Sequence, residues 1–187
     1  MVSALRNSVA LLVLAAAAQT CSAHGFSGTG WIHPLTGIDH MLAMIAVGLW
    51  SARLGGRALA GVPMAFVAAM AAGSVAGYQA WPVPVVEWVI ALSVIGLGAA
   101  IALDTRVLWP LACLATTIFG LAHGYAHGAE MPSSANGWSY AWGFLMTTAG
   151  LHSAGAAAGL IVLERPGGQR WLRTAGVLVA GIGAALI

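Results

Sequence analysis

The chain has 187 residues, of which 60% are hydrophobic and only 6% are charged. A soluble domain carries about 25% charged residues, so this composition cannot build a water-facing surface, and we read the fold class as an all-α integral membrane protein. The basic residues are seven arginines against five acids, too weak an excess for nucleic acid, whereas six histidines in so apolar a chain need an explanation.

The first segment reads as a secretory signal. Arg6 precedes an apolar run from Val9 to Ala18, and "QTCSAHG" follows with small residues near a break. We place cleavage after Ala23, so that 1–23 is removed and 24–187 is the mature domain, beginning at His24; cleavage after Ala18 is the alternative. Cys113 would then be the one thiol left, which excludes an intramolecular disulfide.

A helix needs about 20 apolar residues to cross a bilayer. Six segments qualify: 34–53, 58–79, 83–103, 107–129, 138–163 and 171–187. Their connections are short and rich in Gly and Pro, and Trp31, Trp50, Trp81, Trp88, Trp109, Trp138 and Trp171 fall near their ends, as an interfacial belt would. The pairs Gly73/Gly77, Gly124/Gly128 and Gly155/Gly159 read as close helix packing.

Sidedness follows from arginine. A cleaved signal puts His24 outside, so the loops after spans one, three and five are internal. Those loops hold Arg53, Arg57, Arg106, Arg165, Arg170 and Arg173, every arginine of the mature chain. The positive-inside rule and the signal therefore agree on a multi-pass inner-membrane protein with a periplasmic N-terminus.

The polar residues collect on the outer side. His33, Asp39 and His40 open the first span in "HPLTGIDH", with His40 two turns after His33 on a continuous helix. A carboxylate in hydrocarbon costs roughly 2.5–3.5 kcal/mol, so Asp39 calls for a positive partner. The fourth span ends in "HGYAHGAE", where His123 and His127 share a helix face at i and i+4, and Glu130 stays near that face if the helix continues. Four imidazoles and two carboxylates at one depth form a ligand set for a borderline divalent cation such as Ni, Co, Zn or Cu. Asp39 serves either as a ligand or as the acceptor that orients a ligating His. A lone Asp-His at a helix start is otherwise a cap, and a lone HxxxH a cross-helix hydrogen bond. Met41 and Met44 read as packing and Glu87 as an interfacial charge. His152, with Thr148 one turn before it, reads as part of a path inward or as a buried hydrogen-bonding residue. His24, beside a free α-amine after cleavage, reads either as a capture group or as the plain start of a lead-in.

At these two motifs the sequence resembles the HupE/UreJ family of bacterial membrane proteins. His33, Asp39 and His40 meet its His, five residues, Asp-His pattern. His123, Gly124, Ala126, His127, Gly128 and Glu130 meet its HGxAHGxE pattern, with Ala122 where the family has Phe. The resemblance implies a secondary permease, not an enzyme, supplying nickel, or cobalt, for hydrogenase or urease. The metal is then cargo rather than a prosthetic group. The implied partners are the divalent ion and the lipid bilayer, with a homo-oligomer and a cytoplasmic metallochaperone compatible with it. The alternative is an intramembrane zinc hydrolase using the same His/Asp cluster, disfavoured because no HExxH is present; facing histidines as haem ligands are a third reading, disfavoured by the carboxylates.

Overall fold

A computed structural model describes residues 30–187, and the signal segment and His24 lie outside the described residues. Among the described residues every regular element is a helix: α1 His33–Thr36, α2 Ile38–Leu54, α3 Ala58–Tyr78, α4 Val86–Ala102, α5 Trp109–Ala129, α6 Gly137–Leu163 and α7 Gly168–Ala185. The six long helices fall on the six apolar segments of the sequence. By length and composition α3 and α6 qualify to cross a membrane, and α4 is apolar but shorter. Thr116, Thr117, His123 and His127 lower the apolarity of α5, and Arg170, Arg173 and Thr174 that of α7.

The elements begin and end where local chemistry dictates. Pro110 sits in the first turn of α5, where a missing N–H costs nothing. The Asn136 side chain caps α6 by accepting from the Ser139 N–H at 3.1 Å. Gly55, at φ +68°, ends α2, and Gly167, at φ +74°, precedes α7.

Small residues set the packing. A Cβ on Gly73 or Gly77 of α3 would strike the carbonyls of Leu121 and Tyr125 on α5. In return, Gly120, Gly124 and Gly128 face the carbonyls of Phe66, Met70 and Ser74. The α2–α6 pair uses Gly48 and Gly155, and the α4–α7 pair uses Gly98 and Gly176, in the same way. The packing role read for the glycine pairs is the observed one. Central α2 is buried on nearly every side from Ala43 to Ala52 and packs on α6, α4 and α3.

Two expectations need correction. The first span is not one continuous helix: Gly37, extended at φ −88° and ψ 116°, separates α1 from α2. Trp50 is not part of an exposed belt, being only 5% exposed within the core, whereas the other named tryptophans are exposed. Met44 is a core residue, as read.

Candidate metal site

The break at Gly37 shapes the end of the bundle opposite the arginines. α1 is a single turn closed by the Thr36 hydroxyl donating to the His33 carbonyl at 2.8 Å, and it sets His33 apart from α2. Asp39 and His40 occupy the first turn of α2, where a carboxylate complements the positive end of the helix dipole. Gly37 also leaves room for them, because a Cβ there would lie 2.9 Å from the Asp39 carboxylate and 3.3 Å from His40 Nδ1. From α5, His123 and His127 project on one face as their i, i+4 spacing requires, and both are fully buried.

These three segments meet. The His33 ring lies 4.6 Å from that of His127, and His40 lies 4.6 Å from His123 and 4.9 Å from His127, all edge to face. His33 and His40 are 6.4 Å apart. The Phe144 ring of α6 stacks flat on His127 at 4.8 Å and forms one wall.

Three of the four imidazoles have one nitrogen held. His33 Nε2 is 3.0 Å from the Glu130 carboxylate, and His40 Nδ1 is 3.0 Å from that of Asp39, which also accepts from the His40 backbone N–H at 2.8 Å. His123 Nε2 meets the Ser93 hydroxyl of α4 at 2.9 Å. The opposite nitrogens, His33 Nδ1, His40 Nε2 and His123 Nδ1, are buried without a hydrogen-bond partner among the described residues, as are both nitrogens of His127. An unpaired buried polar atom costs about 1–3 kcal/mol, and here five of them share one locus. With the proton on the held nitrogen, each carboxylate accepts from its imidazole and leaves the opposite lone pair available, the arrangement that orients metal-binding histidines. Asp39 therefore stands as an acceptor for His40.

Glu130 lies just past α5, which ends at Ala129, so its position is set by this cap and by His33 rather than by a continuing helix. The hydrogen bond from His33 holds its carboxyl below the usual carboxylate range. Among the described residues, no three His, Cys, Asp or Glu side chains are already drawn into a metal-coordinating group. The rings are gathered edge to face rather than aimed at one point.

His152 lies deeper. Its Nδ1 is 2.7 Å from the Met44 carbonyl, and its buried Nε2 has no partner among the described residues. The Phe66 ring stands between the two depths, 5.4 Å from His123 and 5.0 Å from His152. Thus the hydrogen bond weighed for His152 exists on one nitrogen and leaves the other open.

Sequence reasoning missed Ser93, Phe66, Phe144 and Tyr140, whose buried hydroxyl, near His33, lacks a partner among the described residues. Ser93 had a signal, as the one hydroxyl in the apolar run of α4. The aromatic residues had none that separated them from ordinary core.

The arginines occupy the other end. Arg53, Arg106, Arg165 and Arg170 line one cleft, and the Arg173 Nε donates to the Ala102 carbonyl at 2.8 Å. Along α2, the rise from His40 to Arg53 is about 20 Å of helix, which separates the Asp39–His40 pair from the arginine end.

No solved structure matches the chain. Protein HupE of Rhizobium leguminosarum bv. viciae is 40% identical over 190 residues, covering 98% of this chain and 99% of that protein. The family model described as HupE / UreJ protein matches residues 7–186, which include both histidine motifs. The chain belongs to the HupE/UreJ family.

Proposed function

We propose that the protein is a secondary permease that carries a divalent transition metal, Ni²⁺ or Co²⁺, from the periplasm across the bacterial inner membrane. The observation that carries this reading is the gathering of partnerless, buried ring nitrogens from His33, His40, His123 and His127. Neutral imidazole suits these borderline cations, and the two carboxylates supply compensating charge. In this reading a signal is removed, six helices span the bilayer, and the arginine end faces the cytoplasm. The large apolar side chains left exposed on the helices, among them Met64, Leu92, Leu114, Ile118 and Leu178, support a hydrocarbon environment.

Glu130 and His33 form the mouth. Glu130 is the most exposed member, with 58% of its side chain accessible, and it attracts the cation while turning His33 Nδ1 inward. His40, His123 and His127 then take the metal, and the ion draws the edge-to-face rings into coordination. Asp39 holds His40 and compensates the buried charge. His152, past Phe66, offers the next free nitrogen toward the arginine end. His24 adds a capture group at the mature terminus. The ion is cargo, and each site must bind loosely enough to release it.

The test is uptake of radioactive nickel by proteoliposomes holding the purified chain, with cobalt and zinc as competitors. Saturable uptake competed by cobalt is expected. Absence of any metal flux would contradict the reading.

A further inference from the structure

We propose that the cleft at the arginine end of the bundle binds the phosphate group of an anionic phospholipid. A cavity of about 340 Å³ lies there, lined by Arg53, Arg106, Arg165, Arg170, Gln169 and the Gly167–Gly168 turn. Its four guanidinium groups come from four separate places in the chain: the end of α2, the α4–α5 loop, the α6–α7 loop and the first turn of α7. One carboxylate is built in beside them. Asp104 pairs with Arg53 and accepts from Gln169 Nε2 at 2.6 Å, which fixes two of the lining side chains. Arg106, Arg165 and Arg170 have no carboxylate within ion-pair distance among the described residues. Three uncompensated, planar donor forks around one cavity match a phosphate, which guanidinium binds in bidentate fashion.

A topological role alone does not account for this placement. Arginines scattered around the rim would orient the chain equally well, as Arg57 and Arg173 do outside the cleft. The surroundings favour a lipid over a free ion. Leu103 and Leu108, on either side of Arg106, are 73% and 72% exposed, and Trp171, next to Arg170, is 69% exposed. A headgroup phosphate in the cleft leaves its acyl chains against that apolar surface, and basic pockets between helices on the cytoplasmic side suit such headgroups. The inference rests on the membrane-spanning part of the proposed function and is independent of the metal chemistry.

The test uses the full chain purified in detergent, with binding of phosphatidylglycerol, phosphatidylcholine and inorganic phosphate followed by native mass spectrometry. Wild type should retain phosphatidylglycerol in preference to phosphatidylcholine. Arg106→Gln, Arg165→Gln and Arg170→Gln should each weaken it by about five-fold, and the triple variant on the order of 100-fold. Arg57→Gln, outside the cleft, should leave it unchanged. Wild-type retention in the three single variants would overturn the proposal. So would an equal loss from Arg57→Gln, which would mean diffuse charge, or inorganic phosphate binding as tightly as the lipid, which would make the cleft a free-anion site. Release of the wild-type chain from membranes by alkaline carbonate would instead count against the membrane-spanning reading itself.

Discussion

His33 Nε2 and the Glu130 carboxylate lie 3.0 Å apart, joining the one-turn helix α1 to the residue that closes α5. This bond ties the two motifs together beside the His127 ring, whose centroid lies 4.6 Å from that of His33. Both partners should therefore matter to capture more than to throughput. Glu130→Gln and His33→Ala should each raise the half-saturating metal concentration several-fold with a smaller change in maximal rate, and the double variant should add little to either. Concentration-dependent uptake at matched expression checks this. Additive losses would mean that the two residues act apart.

The Ser93 hydroxyl donates to the Ile90 carbonyl at 2.6 Å and so accepts from His123, fixing that ring from α4 through a 2.9 Å contact to Nε2. Partners of this kind typically account for 10–100-fold in metal affinity or activity. Ser93→Ala should fall in that range while keeping the helical fold, and Ser93→Thr should recover part of it. An unchanged uptake curve for Ser93→Ala would remove Ser93 from the site.

The sequence made much of this arrangement legible, and the reasons are local. Apolar runs separated by Gly and Pro located all six long helices, because each run has about the length a helix needs to cross a bilayer. The i, i+4 spacing of His123 and His127 alone placed both rings on one face. The Gly37 break was not legible, since a glycine in that context also sits within continuous helices; the extended conformation there follows from the closed turn of α1 and the Asp39–His40 pair packed against it. Trp50 was misplaced because position near a segment end was taken for exposure. α2 is the central helix, buried on nearly every side from Ala43 to Ala52. Ser93 stood out as a lone hydroxyl in an apolar run, but its partner was not legible because His123 lies on another helix.

Close glycine contacts hold the site-bearing helix in place. Gly124, one residue after His123, packs against the Met70 backbone of α3, so Gly124→Val should force α5 away from α3 and lower both thermal stability in detergent and uptake. Gly150 of α6 has nothing within 4 Å of an added Cβ, so Gly150→Ala should be neutral or stabilise by up to about 1 kcal/mol. Melting of both variants decides it. Equal stability would show that the α3–α5 approach is looser than described.

Protons should compete with metal. Imidazole ligates only when neutral and ordinarily titrates near pH 6.5, so uptake should fall as external pH drops through about 6. Glu130 does not set this limit. Its carboxyl is held below the ordinary range by His33, so it stays ionised there, and its contribution is lost only as pH falls through that lowered value. Glu130→Gln should therefore leave the pH midpoint of uptake near 6. A pH-independent rate between 7.5 and 5.5 would argue that imidazole is not the ligand.

The central claim is that the histidines of α2 and α5 form a single metal site, as the 4.9 Å between the His40 and His127 rings suggests. The most direct measurement is nickel uptake by His40→Ala, His127→Ala and the double variant at equal membrane expression. Each single change should nearly abolish uptake, and the double should cost little more, because two halves of one site cannot lose it twice. Near-wild-type uptake in either single variant would contradict the account and make these histidines structural.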